Sequence, residues 1–325
     1  MLLRLPVVLV ALLAIGGCDR TDRTAGPTTA AVATMAPAQV APEAGWQEGS
    51  GAFGGRQRTW ALYVPAGLPV GRVPLVVGLH GGLGSAQSFR RDTRFDELAE
   101  REKFVVLFPE AVVGDPVGVA GREVSERSWN AVGCCGSAPT RGIDDVGFVT
   151  ELVARLAATL PVDASRIYLV GSSNGGMLTA AIACQVPRFA AAYAINAAAT
   201  MDPQCAPGRA VNLLSLHGDA DGNVPIDGGR PTAGLQRNLT YPSLQQTLRP
   251  FLVAGSCGDA ATTRDDAVVT AQRWSCGAGT EVVSMVLHGA GHGWPGAPPS
   301  ALGQERPSNL NATTEVWAFL QRHRR

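Results

Sequence analysis

Two hydrophobic periods alternate along the chain. Arg56 to Val64 (RQRTWALYV) alternates polar and apolar side chains, the pattern of a half-buried strand, whereas Val73 to Leu79 (VPLVVGL) and residues 104–108 (FVVLF) are nearly unbroken apolar runs, as in central strands covered on both faces. Between those runs, residues 86–102 set Phe89, Phe95 and Leu98 among charges and predict a helix; Pro109 ends the second run, and the Gly-rich stretch 110–142 predicts an irregular connection. Asp144 and Asp145 then start a helix whose apolar positions Val146, Val149, Leu152, Val153, Leu156 and Leu160 keep helical spacing, with the acids at its positive end. A strand over 166–170, a helix over 175–184, strands over 191–195 and 211–216, a loop over 219–245 and a helix over 243–254 follow. Glu281 to Leu287 is the last strand, and an amphipathic helix over 308–322 closes the chain. Buried runs alternating with helices predict an α/β domain over 46–325, built on a mainly parallel, doubly wound sheet with helices on both faces.

The N-terminus departs from this pattern. Arg4 precedes an apolar run from Leu5 to Ile15, about 16 Å long as a helix against roughly 30 Å of hydrocarbon, which reads as a signal peptide over 1–17. Ile15-Gly16-Gly17-Cys18 resembles the lipobox of bacterial lipoproteins, which implies cleavage before Cys18 and acylation of its thiol. Residues 18–45, rich in Thr, Ala and Pro without an apolar period, read as a flexible linker. The expectation is an exported protein of the cell envelope, meeting the membrane through its lipid alone.

Composition narrows the chemistry. The 27 basic and 27 acidic residues cancel, which leaves no electrostatic footprint for nucleic acid, and the lone lysine, Lys103, sits at a helix end, which excludes a lysine-based mechanism. Setting Cys18 apart leaves six cysteines, an even number suited to an oxidising compartment. Proximity along the chain favours pairing Cys184 with Cys205 and Cys257 with Cys276; Cys134 and Cys135 then form a bridge between neighbours or stay as thiols. No C-x-x-C spacing accompanies these cysteines, so no metal site is expected.

Gly171-Ser172-Ser173-Asn174-Gly175 is a G-x-S-x-G between a buried strand and a helix, the context of a nucleophile elbow with Ser173 at its apex. A hydroxyl needs a base within hydrogen-bond reach. The chain order Ser, acid, His sets aside His80 and His217; His323 lies in the terminal QRHRR and reads as solvated, and His288 ends the last strand. His292, in the loop GAGHGWPG, remains as the base. Its acid is Asp219 or Asp221 in HGDADGNVP, and spacing alone leaves both open. The loop Leu79-His80-Gly81-Gly82-Leu83-Gly84 lacks phosphate-binding signatures and suits an oxyanion hole, with backbone N–H groups of Gly82 and Asn174 as donors. Such chemistry requires no metal or organic cofactor.

Taken together, PLVVGLHGG (74–82), RSWNAVGCCG (127–136), IDDVGF (143–148), GSSNGGM (171–177), HGDADGNVPIDGG (217–229) and GAGHGWPG (289–296) resemble the exported poly(3-hydroxybutyrate) depolymerases and feruloyl or acetylxylan esterases, an α/β-hydrolase family. The resemblance covers about residues 50–322 and implies the α/β-hydrolase fold, a serine carboxylic-ester hydrolase, and a small or oligomeric ester as substrate. Its pattern HG-x-x-D-x-x-VP assigns the acid to Asp221, giving Ser173, Asp221 and His292 as the triad. It also suggests Trp294 as a wall of the acyl pocket and Trp129, beside Asn130, as a cover over the site, with plain core packing as the alternative for both. Asp145 reads as a helix cap. The rival functions are a serine peptidase of the same fold and an inactive envelope binding lipoprotein.

Overall fold

Apolar runs make the centre of the sheet and half-polar ones its flanks. In the computed structural model, which describes residues 42–119, 121–234, 236–298 and 308–325, the hairpin of β1 (Gly45–Phe53) and β2 (Arg56–Val64) leads into β3 (Val73–Leu79). Helices α1 (Ala86–Thr93) and α2 (Phe95–Glu102), strand β4 (Val105–Pro109), the hairpin β5 (Val112–Val119) with β6 (Arg122–Ser128), α3 (Asp145–Thr159), β7 (Val162–Ser172) and α4 (Asn174–Gln185) follow. The chain continues through β8 (Ala192–Asn196), β9 (Leu213–Gly218), α5 (Leu244–Ala254), β10 (Ala260–Asp265), β11 (Val269–Ser275), β12 (Glu281–Leu287) and α6 (Ala312–Leu320). The signal peptide expected over 1–17, Cys18 and the linker up to residue 41 lie outside the described residues.

Ten strands form one sheet in the order β1-β2-β4-β3-β7-β8-β9-β12-β11-β10. The six from β4 to β12 are parallel, and each flank is an antiparallel pair. Side chains alternate across this sheet. Leu75, Val77, Leu107 and Leu169 pack with Phe148 and Leu152 of α3, Leu178 of α4 and Phe251 of α5. Val76, Val106, Phe108 and Val170 pack on the other face with Phe89, Phe95 and Leu98 and with Val316 and Leu320 of α6. This is the α/β-hydrolase arrangement, covered on both faces. From β3 the chain steps to β4 on one side and to β7 on the other, so a crevice opens at the carboxyl ends of β3 and β7, where open α/β sheets place their sites.

Four features differ from the sequence expectation. The helix over 86–102 is two helices, because Arg94 turns into the left-handed region at φ 49° between them. The irregular stretch after Pro109 contains the β5–β6 hairpin, and β1, β10 and β11 extend the sheet beyond the strands that the pattern predicts. Asp144, not Asp145, caps α3, accepting the Gly147 N–H at 2.7 Å. Asp145 is instead buried against Arg58 at 2.7 Å and accepts the Asn130 N–H.

Candidate active site

Strand β7 ends at Ser172 and α4 begins at Asn174, so the whole reversal falls on Ser173, at φ 53° and ψ −124°. A non-glycine residue held there costs on the order of 1–3 kcal/mol, which the surrounding hydrogen bonds must offset. The Ser173 N–H donates to the Asn196 carbonyl and the Ser173 carbonyl accepts the Met177 N–H, both at 2.8 Å. Two glycines permit the turn. A Cβ on Gly171 would strike the Gly175 carbonyl, and one on Gly175 would strike the Leu79 and His80 carbonyls.

The neighbouring parallel strands β9 and β12 carry the other two groups past their carboxyl ends. His292 Nε2 lies 2.7 Å from Ser173 Oγ, and its Nδ1 lies 2.8 Å from Asp221 Oδ2. The Asp221 side chain is wholly buried, and its Oδ1 accepts the Asn223 and Val224 N–H groups at 2.8 and 2.9 Å. Burial alone would raise this carboxyl, but the charge of His292 and hydrogen bonds from His217 and His292 outweigh it and hold Asp221 well below the usual range. His217 is buried too: its Nε2 donates to the Val224 carbonyl at 2.8 Å and lies 3.4 Å from Asp221 Oδ2. Asp219, the other acid in the motif, faces outward. It accepts the Gly289 N–H at 2.6 Å and lies 3.2 Å from His288 Nδ1, and so ties the acid loop to the base loop.

The loop after β3 lies against the elbow. A Cβ on Gly82 would sit 3.7 Å from that of Asn174. His80 Nδ1 donates to the Gly81 carbonyl at 2.8 Å, while Nε2 faces the Ala111 N–H and Glu110. The Asn174 side chain accepts the Trp129 N–H at 2.7 Å and donates to the Trp129 carbonyl at 3.0 Å.

Of the two readings offered for the tryptophans, a substrate contact or plain core packing, the structure places both side chains in the interior. Trp129 is fully buried and donates Nε1–H to the His80 carbonyl, behind the glycine loop. Trp294, 6% exposed, meets Phe89 and Phe95 edge to face and donates to Thr313 Oγ1. His323 is likewise buried rather than solvated, beside Glu281 at 3.1 Å. Disulfides join Cys184 to Cys205, Cys257 to Cys276, and Cys134 to Cys135. Among the described residues, no group of three or more His, Cys, Asp or Glu is arranged to hold a metal ion.

Sequence reasoning missed Asn196. It ends β8 beside Ser172, is 2% exposed, and donates Nδ2–H to Ser172 Oγ at 2.9 Å and to the Gly293 carbonyl at 3.1 Å. A lone Asn after an apolar strand (AYAIN) carries no motif, so only the fold brings it to these partners.

Residues 58–224 match the family model described as Esterase PHB depolymerase, just over half of the chain. The chain is similar to "Putative esterase NocK" of Nocardia uniformis subsp. tsuyamanensis, 28% identical over 74% of this chain and 72% of that protein. It is also similar to Feruloyl esterase B of Piromyces equi, 24% identical over 67% of this chain but only 39% of the relative. In fold it resembles the acetyl xylan esterase from Aspergillus awamori, with a TM-score of 0.52 and 15% identity over 81% of this chain and 94% of that one. The chain belongs to the Esterase PHB depolymerase family and is a carboxylic ester hydrolase.

Proposed function

We propose that this ester hydrolase is a serine esterase working through an acyl-enzyme, with Ser173 as nucleophile, His292 as general base and acid, and Asp221 as the group that orients and charges the imidazole. The observation that carries the reading is the unbroken line from Asp221 Oδ2 to His292 Nδ1 at 2.8 Å and from His292 Nε2 to Ser173 Oγ at 2.7 Å. As Oγ attacks the ester carbonyl carbon, its proton passes to His292 Nε2, and the ionised Asp221 stabilises the imidazolium. Collapse of the tetrahedral intermediate breaks the bond to the alcohol, which leaves with the proton from Nε2. Water then repeats the sequence and releases the acid.

Gly82 and Asn174 are the proposed oxyanion donors. The Ser173 N–H is committed to Asn196, that of Leu83 to the Arg127 carbonyl and that of Gly84 to the Gly81 carbonyl. The Gly81 carbonyl is held by His80 Nδ1 and the Gly84 N–H, and in a trans peptide the Gly82 N–H points opposite to that carbonyl and is not drawn into those bonds. The Asn174 N–H is the first of α4 and lies beyond the reach of intrahelical bonding. Each such donor is worth about 2.7–4 kcal/mol in the transition state.

Feruloyl or acetyl esters of saccharides and hydroxybutyrate oligomers are the proposed substrates, supported by the family and by what its relatives are named for. Export to the cell envelope is supported by three disulfides, and anchoring through a lipid on Cys18 by the leader pattern. Cys18→Ser should then move the protein from the membrane to the soluble fraction; unchanged partitioning would refute the anchor. The deciding assay offers the full chain p-nitrophenyl acetate, methyl ferulate, acetylated xylan oligomers and hydroxybutyrate oligomers, with Ser173→Ala alongside. Turnover should fall by at least about 10³-fold in the variant, and activity that survives the substitution sinks the reading.

A further inference from the structure

We propose that Asn196 is a positioning residue that sets the distance between nucleophile and base, an inference that rests on the Ser173–His292–Asp221 reading. The elbow follows β7 and the base loop follows β12, with β8 and β9 lying between these strands in the sheet. Asn196, at the end of β8, spans the gap with one side chain. Its Nδ2 donates to Ser172 Oγ, immediately before the nucleophile, and to the carbonyl of Gly293, immediately after the base. Its own carbonyl accepts the Ser173 N–H at 2.8 Å.

The chemistry of the partners fixes the amide. A carbonyl only accepts, so the nitrogen of Asn196, not the oxygen, must face Gly293. Both N–H groups are then used, and 2% exposure leaves water little access to replace them. Beyond Gly293 the base loop is tied to α6, where the Pro295 carbonyl accepts the Ala312 N–H and Trp294 donates to Thr313 Oγ1. Before His292 it is tied to the acid loop, where Asp219 accepts the Gly289 N–H and the Ala220 N–H donates to the Ala290 carbonyl at 3.0 Å, and these bonds keep His292 with Asp221. Asn196 joins that pair to Ser173. Proton transfer between Oγ and Nε2 is sensitive to displacements of an ångström or less, whereas substrate binding at the glycine loop is not governed by this link.

Removing the amide should therefore lower kcat and leave KM alone. In Asn196→Ala of the full chain, kcat on p-nitrophenyl acetate should fall about 10- to 100-fold with KM within about twofold. The rate at which a p-nitrophenyl phosphonate inactivates Ser173 should fall in parallel. Asn196→Asp keeps the shape and replaces the donating nitrogen by an oxygen, so it should lose as much activity, and it serves if the alanine variant does not fold. A folded variant of either kind with unchanged kcat overturns the proposal, as does a raised KM at constant kcat, which would make Asn196 a substrate contact. Ser173→Ala run in parallel keeps the two failures apart. Activity surviving there defeats the triad itself, while an inactive Ser173→Ala beside a fully active Asn196→Ala defeats only the positioning role.

Discussion

Strand β12 has carboxylate–histidine contacts at both ends, and only one of them, His292 with Asp221, continues to a hydroxyl. At its amino end, Glu281 lies 3.1 Å from His323 Nε2 and 2.6 Å from each of Arg273 and Arg322. Beyond its carboxyl end, His292 meets Asp221. Both carboxylates are buried and both are held down in pKa. Hydrogen bonding from His323 outweighs burial and, with Arg322 and Arg273 adding to it, holds Glu281 at about 2. What differs is the rest of the shell. Cations on flexible stems surround Glu281, whereas Asp221 faces two fixed backbone amides and two imidazoles. The far nitrogen of His292 is left for the Ser173 hydroxyl. A histidine beside an acid therefore identifies a site only when a nucleophile meets the other side of the ring.

The sharpest way to test this contrast is Asp221→Asn. The amide would present an N–H to Nδ1 and favour the wrong tautomer of His292, so kcat should fall by about 10³–10⁴-fold in a variant that is still folded at the assay temperature, although losing a carboxylate held below its usual range also lowers its stability. Steady-state kinetics beside a melting curve checks both halves. Glu281→Gln should spare the activity: a stability loss of about 1–3 kcal/mol in urea unfolding, with kcat/KM within twofold of the parent. Activity lost without stability there would break the contrast. The smallest effect needs no mutation. Because the folded-state pKa of Glu281 is depressed from 4.5 to about 2, its contribution is fully present above the unfolded value and is lost as pH falls from about 5 towards 2. In Glu281→Gln, the acid-side slope of unfolding free energy against pH should be shallower than in the parent.

The same contrast explains what the sequence disclosed. Ser173 and His292, which the structure brings together, were legible because each lies in a contiguous motif dictated by local geometry, an elbow and a glycine-rich loop, whereas the choice of Asp221 over Asp219 rests on the family resemblance and not on spacing. His323 was not legible, because its environment is built by Glu281, 42 positions earlier, and a terminal QRHRR reads locally as solvated. Asn196 was hidden for a similar reason, its partners being 24 and 97 positions away. Among the strands, β3, β4 and β8 announced themselves by unbroken burial. Wholly exposed β10 (AATTRD) and the half-exposed β5–β6 hairpin, with Gly114, Pro116 and Gly118, have no apolar period to read. The tryptophans stay open in the sequence for a different reason. The resemblance offers a substrate contact or plain core packing for each, and the indoles of Trp129 and Trp294 are large apolar bodies that pack in the interior, each with its N–H satisfied inside.

The close approach at Gly175 has a mechanical consequence. With no room for even a methyl group between the start of α4 and the carbonyls of Leu79 and His80, the serine and the glycine loop facing it travel as one solid piece. The histidine and its acid, cross-linked through Asp219, follow strands of the same sheet three and two places away, and at the site itself they reach the serine through Asn196 and the serine–histidine contact. The proposed chemistry thus depends on the fit between neighbouring loops, so a shift of one against the other should cost activity without unfolding either.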